Sequence, residues 1–182
     1  MKYKKYIIFI TIISFIFYCR HQVLNHDIPI ANIEFVKIEE NIKYENSFYL
    51  YFTSDIELTD NLRKEHVNGG ITCFFLNKSI SKNDFSNDKG FILSSVSDLE
   101  LKSKTTKYNY VVKTFFKTKI YDNNLSSADR KNIVLKEVSN LLNKEPNCIS
   151  CVATSVGYMG MPKRYISNTM YIPKENIKKI ME

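Results

Sequence analysis

The chain has 182 residues, a formal net charge of +7, 44% hydrophobic residues and 4 Cys. Its 5 Gly and 4 Pro are scattered, which argues against an interdomain linker, and no internal repeat or low-complexity tract appears. The basic residues are dispersed and no DNA- or RNA-binding motif is present, so nucleic acid is not an expected partner.

Met1-Lys-Tyr-Lys-Lys opens the chain, followed by an apolar run from Tyr6 to Tyr18 and then Cys19. A basic start before a short apolar run is the layout of a secretory signal. The run is shorter than the roughly 20 residues a membrane-spanning helix needs. Because it ends at a cysteine, the segment resembles a bacterial lipoprotein signal, in which that cysteine becomes the lipidated N-terminus. Ile16 suits the pattern, whereas Tyr18 stands where a small residue is usual. Lipidation at Cys19, an uncleaved short anchor and a cleaved soluble chain are the three outcomes open at this point. Residues 1–19 are read as the signal segment, 20–31 as a tether and 32–182 as a single globular domain. Removing Lys2, Lys4 and Lys5 with the signal lowers the charge from +7 to +4. That mild excess favours an acidic partner or an anionic membrane surface.

In this layout the chain resembles small, single-domain bacterial envelope lipoproteins, some of which act as immunity proteins against toxins. The resemblance covers the first two dozen residues. It implies a membrane anchor through the N-terminus and a place in the periplasm or cell envelope. Cys19 is the one site residue it carries over.

Ile33–Ile38 reads as a strand. Ser47–Thr53 reads as a stronger one, with Phe48, Leu50 and Phe52 on one side. Residues 55–68 are polar, with a short helical turn through Leu62. Asp55, Glu57, Asp60 and Glu65 there lack the spacing and turn glycine of an EF-hand loop. Gly69-Gly70 precedes an apolar strand, Ile71–Leu76, in which Cys73 is expected to be buried. Residues 77–89 read as a surface loop, Gly90–Val96 as a strand and Ser97–Lys107 as a polar connection.

From Tyr108 to Ile120 apolar and polar positions alternate with period two, and Lys113, Lys117 and Lys119 share one face. This predicts a half-buried strand, better suited to an antiparallel sheet than to a parallel one. Asp122-Asn-Asn124 breaks the pattern as turn residues do. Ser126 with Asp129 three positions on forms a helix-start signal. A helical stripe of Lys131, Val134, Val138, Leu141 and Leu142, flanked by Leu135, follows. Pro146 ends the helix near Lys144.

Cys148-Ile-Ser-Cys151 then reads as a turn before a strand, Val152–Tyr158. Redox-active cysteines usually sit at a helix N-terminus, where the thiolate is favoured. Here the pair follows a helix C-terminus, so a structural role is the expectation. Cys148 and Cys151 are expected to pair, leaving Cys73 a buried thiol; the rival pairing joins Cys73 to one of the other two. The connection from Tyr158 to Tyr165 is expected to be a hairpin loop presenting a partner-binding surface. Tyr158, Met159 and Met161 would supply apolar contact there, with Lys163 and Arg164 supplying charge. A strand, Tyr165–Ile172, and a short helix, Lys174–Met181, complete the chain.

His21, His26 and His66 are too few and too scattered for a familiar zinc site. No phosphate loop or nucleophile elbow appears. No catalytic residue, metal or cofactor is predicted. The expected fold is α+β: a mainly antiparallel sheet with one long helix, about 127–144, packed on it and a short C-terminal helix. A β-sandwich with a helical insertion is the alternative. The expected function is that of an exported, lipid-anchored, non-catalytic binding protein with a protein partner, one form being an immunity protein that neutralises a toxin. Rival readings are a thiol–disulfide oxidoreductase using Cys148 and Cys151, and an assembly lipoprotein of a secretion or surface apparatus.

Overall fold

The structure is a computed structural model. It describes residues 28–43, 47–64, 67–75, 78–85, 91–95, 97–116, 126–144, 147–157 and 165–181. Among these are eight strands: β1 (Ile33–Glu40), β2 (Ser47–Ser54), β3 (Val67–Phe74), β4 (Phe91–Ser95), β5 (Glu100–Lys104), β6 (Tyr108–Phe116), β7 (Cys148–Gly157) and β8 (Met170–Pro173). The helices are α1 (Leu58–Lys64), α2 (Ser127–Lys144) and α3 (Lys174–Lys179), with a 3-10 turn at Lys82–Phe85.

All strand pairings are antiparallel. The strands run in the order β1-β2-β6-β4-β3-β7-β8, with β5 also paired to β6. The two ends of this order come back towards each other. Ala31, just before β1, accepts a 2.9 Å hydrogen bond from the Asn168 N–H, just before β8. The Tyr165 hydroxyl accepts from the Ala31 N–H at 3.0 Å and donates to the Pro29 carbonyl at 3.2 Å.

The result overturns both expected architectures, the helix-on-sheet α+β layer and the β-sandwich. The sheet curls into a nearly closed barrel-like form; among the described residues strand outweighs helix by 48% to 25%, and no single long helix organises them. The physical cause is curvature. Register shifts at Phe35/Lys37, Cys73/Phe74 and Leu101/Ser103 bend the strands, and bulges of this kind raise local twist and turn a sheet towards closure.

The core lies inside the curl. Phe48, Leu50 and Phe52 of β2 are buried with Tyr110, Val112 and Phe116 of β6. Phe52 stacks on Tyr110 with centroids 5.3 Å apart, and Phe48 meets Phe116 edge-on at 4.9 Å. At the start of α2, Ser126 donates to Asp129 at 2.6 Å and accepts from the Asp129 N–H at 3.2 Å. That exchange satisfies a free donor of the first turn. Of the expected stripe, Val134, Val138 and Leu142 are buried with the core, and Leu141 is exposed.

Two local expectations also change. The Cys148–Cys151 segment opens β7 instead of forming a turn. Residues 100–104, expected to be a connection, form β5, which is exposed throughout.

Candidate functional site

The pairing of β3 with β7 decides which main-chain groups face outward. In an antiparallel ladder, opposed residues alternate between pairs that exchange both hydrogen bonds and pairs whose N–H and C=O point away from each other. Ile71 is opposite Ala153 and Gly69 is opposite Ser155, two positions apart along the ladder. The Ala153 N–H donates to Ser167 Oγ at 2.9 Å, and Ala153 O accepts from the Ser167 N–H at 2.9 Å. The Ser155 N–H likewise turns away, to Tyr165 O at 3.3 Å. On the other side of β3, the Ile71 N–H donates to Ser95 Oγ at 3.2 Å. Ile71 and Gly69 therefore belong to outward-pointing pairs, and the N–H and C=O of Gly69 point away from β7.

What lies beside them is a groove. β4 pairs with β3 only at Thr72, Cys73 and Phe74. β6 pairs with β4 at Thr114–Phe116 and with β5 at Tyr108–Val111. The sheet beside β6 therefore passes from β4 to β5, and β3 follows β4 but not β5. Among the described residues no strand pairs with Val67–Gly70 on that side. The space left open is a cavity of about 290 Å³ lined by Thr59, Leu62, Arg63 and Asp98 among others, next to one of about 400 Å³ lined by Thr72, Ser94, Ser95, Ser97 and Thr154. Asn68, Gly69 and Asp98 line both.

Neighbouring elements hold the walls in place. The Leu58 N–H donates to the Tyr110 hydroxyl at 2.7 Å, which ties the start of α1 to β6. Burial pushes the Tyr110 phenol above its ordinary range. Ser97 Oγ accepts from the Lys113 N–H at 3.2 Å. The two glycines allow close approach. A Cβ on Gly69 would lie 2.4 Å from Leu62 Cδ1, and one on Gly70 would lie 2.2 Å from Ser95 Oγ.

Among the described residues, one buried side-chain group in the groove wall has no partner. Thr154 is 7% exposed, and its Oγ1 is buried without a hydrogen bond. Leaving a buried hydroxyl unsatisfied carries a cost of about 1–3 kcal/mol.

Cys19, Tyr158, Met159, Met161, Lys163 and Arg164 fall outside the described residues. The expected Cys148–Cys151 bridge is corrected: the disulfide joins Cys73 to Cys151. Those two residues stand directly opposite each other on β3 and β7, 4.0 Å apart at Cα. Cys148 and Cys151 instead sit three apart on one strand, where successive side chains point to opposite faces. Burial pushes the Cys148 thiol above its ordinary range, which works against a thiolate nucleophile. No group of three His, Cys, Asp or Glu side chains that could hold a metal occurs among the described residues.

The groove residues Arg63, Asn68, Ser95, Asp98 and Thr154 were not foreseen. The one available signal was Gly69-Gly70, since glycine inside a strand often marks close approach of another backbone. No family profile, curated protein or solved structure matches the chain.

Proposed function

We propose that this chain is a non-catalytic binding protein held at a bacterial envelope by its N-terminus, and that a protein partner contacts the groove beside Gly69. The observation that carries the reading is the outward-pointing Gly69 main chain, set in a groove walled by hydroxyl side chains, Asn68 and Asp98. Such a surface offers directional hydrogen bonds to a partner. The basic-then-apolar start ending at Cys19 supports export and anchoring. A disulfide is at home in an oxidising compartment outside the cytoplasm, which agrees with the same location. Within this class, an immunity protein is the case in which the partner is a toxin reaching the same envelope.

The test replaces Asn68, on the groove rim, with a photo-crosslinking residue in intact cells. Illumination should give one discrete adduct containing a second polypeptide. An adduct obtained only when the same probe replaces Lys179, on the exposed face of α3, would place the partner elsewhere and contradict the reading. The anchoring half is tested by intact mass of the membrane-extracted chain. An acylated chain beginning at Cys19 is expected, and a soluble chain without lipid would refute it.

A further inference from the structure

We infer that the groove receives an extended segment of the partner's polypeptide, which adds as a strand to the Val67–Gly69 edge of β3. The inference rests on the binding reading above and names the form the ligand takes.

Two observations lead to it. The first is directional. Ladder parity points the N–H and C=O of Gly69 into the groove, and Val67, opposite Gly157 in the same ladder, falls in the same class of pair. Unpaired groups along a strand edge are a template for another strand, and main-chain bonds to such an edge are a recognised source of peptide affinity. The second concerns the wall across from them. β5 pairs with β6 and with no other described strand. A second edge therefore follows β4 along β6, on the side of β6 towards β3. The gap opens where β3 runs on beyond its pairing with β4, and it narrows where Leu99 lies against Gly69.

An extended peptide fits these features better than a compact small molecule. Two adjoining cavities lie along the strand, and their lining combines main-chain amides, hydroxyls and Asn68, which match a peptide's own donors and acceptors, with the charged side chains of Arg63 and Asp98.

The test uses the full chain in detergent micelles and a phage-displayed library of random heptapeptides as the probe. Enriched peptides should bind and shift the backbone amide signal of Gly69. The tightest is then resynthesised with a single backbone N-methyl group at each position in turn. Alternate N–H groups of an added strand point to its neighbour. N-methylation should therefore weaken binding roughly fivefold or more at two positions spaced two apart, those facing Val67 and Gly69, and less at the position between them. Peptides that bind without affecting Gly69, or a methylation profile without period two, would overturn strand addition. So would a library that yields no binder, or a chain whose groove is filled by a second copy. A positive Asn68 adduct alongside any of these results leaves the binding reading standing while strand addition falls. Absence of both removes the two together.

Discussion

Cys73 and Cys151 stand opposite each other in the β3–β7 ladder and are joined by a disulfide that closes a separation of 78 residues. The bond ties together the two strands whose pairing sets the direction of the Gly69 main chain. A cross-link of this span is worth about 4.5 kcal/mol in the chain-entropy account, between the values for 15- and 100-residue loops. Replacing both cysteines by alanine should lower the urea midpoint accordingly. Non-reducing peptide mapping of the wild type should give a Cys73–Cys151 cross-linked peptide. A Cys148–Cys151 cross-link, or an unchanged midpoint in the double variant, would contradict the pairing.

Tyr110 supports the groove from behind. Its ring stacks on Phe52, and its hydroxyl accepts the first N–H of α1. Tyr110→Phe keeps the stacking and removes the acceptor, leaving the Leu58 N–H buried and unsatisfied. The expected loss is about 1–3 kcal/mol of stability, read by thermal or denaturant unfolding. A variant as stable as the wild type would mean that the bond contributes nothing.

Gly69 tests the packing of α1 on β3. Gly69→Ala places a methyl group 2.4 Å from Leu62 Cδ1 and 3.1 Å from Leu99 Cδ1. Overpacking of this kind costs about 1–3 kcal/mol. Combining Gly69→Ala with Leu62→Ala should recover part of the loss expected from adding the two single changes, because each relieves the other. Strict additivity in the double-mutant cycle would show that the two residues do not press on each other.

The sequence showed some of this fold well and some of it not at all. β2 and β6 were visible because Phe48, Leu50 and Phe52 alternate with half-exposed Tyr49 and Tyr51. α2 was visible because Ser126 and Asp129 mark its start and Val134, Val138 and Leu142 repeat at helical spacing. β5 was hidden, since Glu100–Lys104 has no apolar face and is a strand only through its pairing with β6. Gly69-Gly70 looked like an approach to a strand and turned out to lie within one. The curl of the sheet depends on bulges and on contacts such as Ala31 with Asn168, which no local period encodes. The groove was hidden for the same reason. It exists because β3 parts from β4, and its chemistry depends on a ladder parity that only the β3–β7 register reveals.

Asp84 gives a pH-dependent handle on the loop before β4. Its carboxylate accepts from Lys78 Nζ at 2.9 Å and from the N–H and Oγ of Ser81, each at 2.8 Å. The Lys78 bond is the largest cause, followed by those from Ser81, and together they hold its pKa at about 2, below the ordinary 3.8. A carboxylate held low in the folded state adds stability above its ordinary pKa, and that stability is lost as pH falls towards the folded value. The loop should therefore loosen between about pH 4 and pH 2, with a small effect because the pair is solvated and screened by salt. A carboxyl titration of Asp84 by NMR should have its midpoint near 2. A midpoint near 4 would show that these bonds do not persist in solution.

The central claim is that Gly69 offers a free main-chain edge. Native-state hydrogen exchange at single-residue resolution tests it on the unliganded full chain. Gly70 lies in a pair that exchanges its bonds with Thr154, whereas Gly69 points into the groove. Exchange protection follows local hydrogen bonding. The account predicts that the Gly69 amide exchanges at least about tenfold faster than that of Gly70, although both lie within one strand. Equal, strong protection at the two positions would mean that the Gly69 N–H already has a partner, and would contradict both the open edge and the strand-addition site built on it.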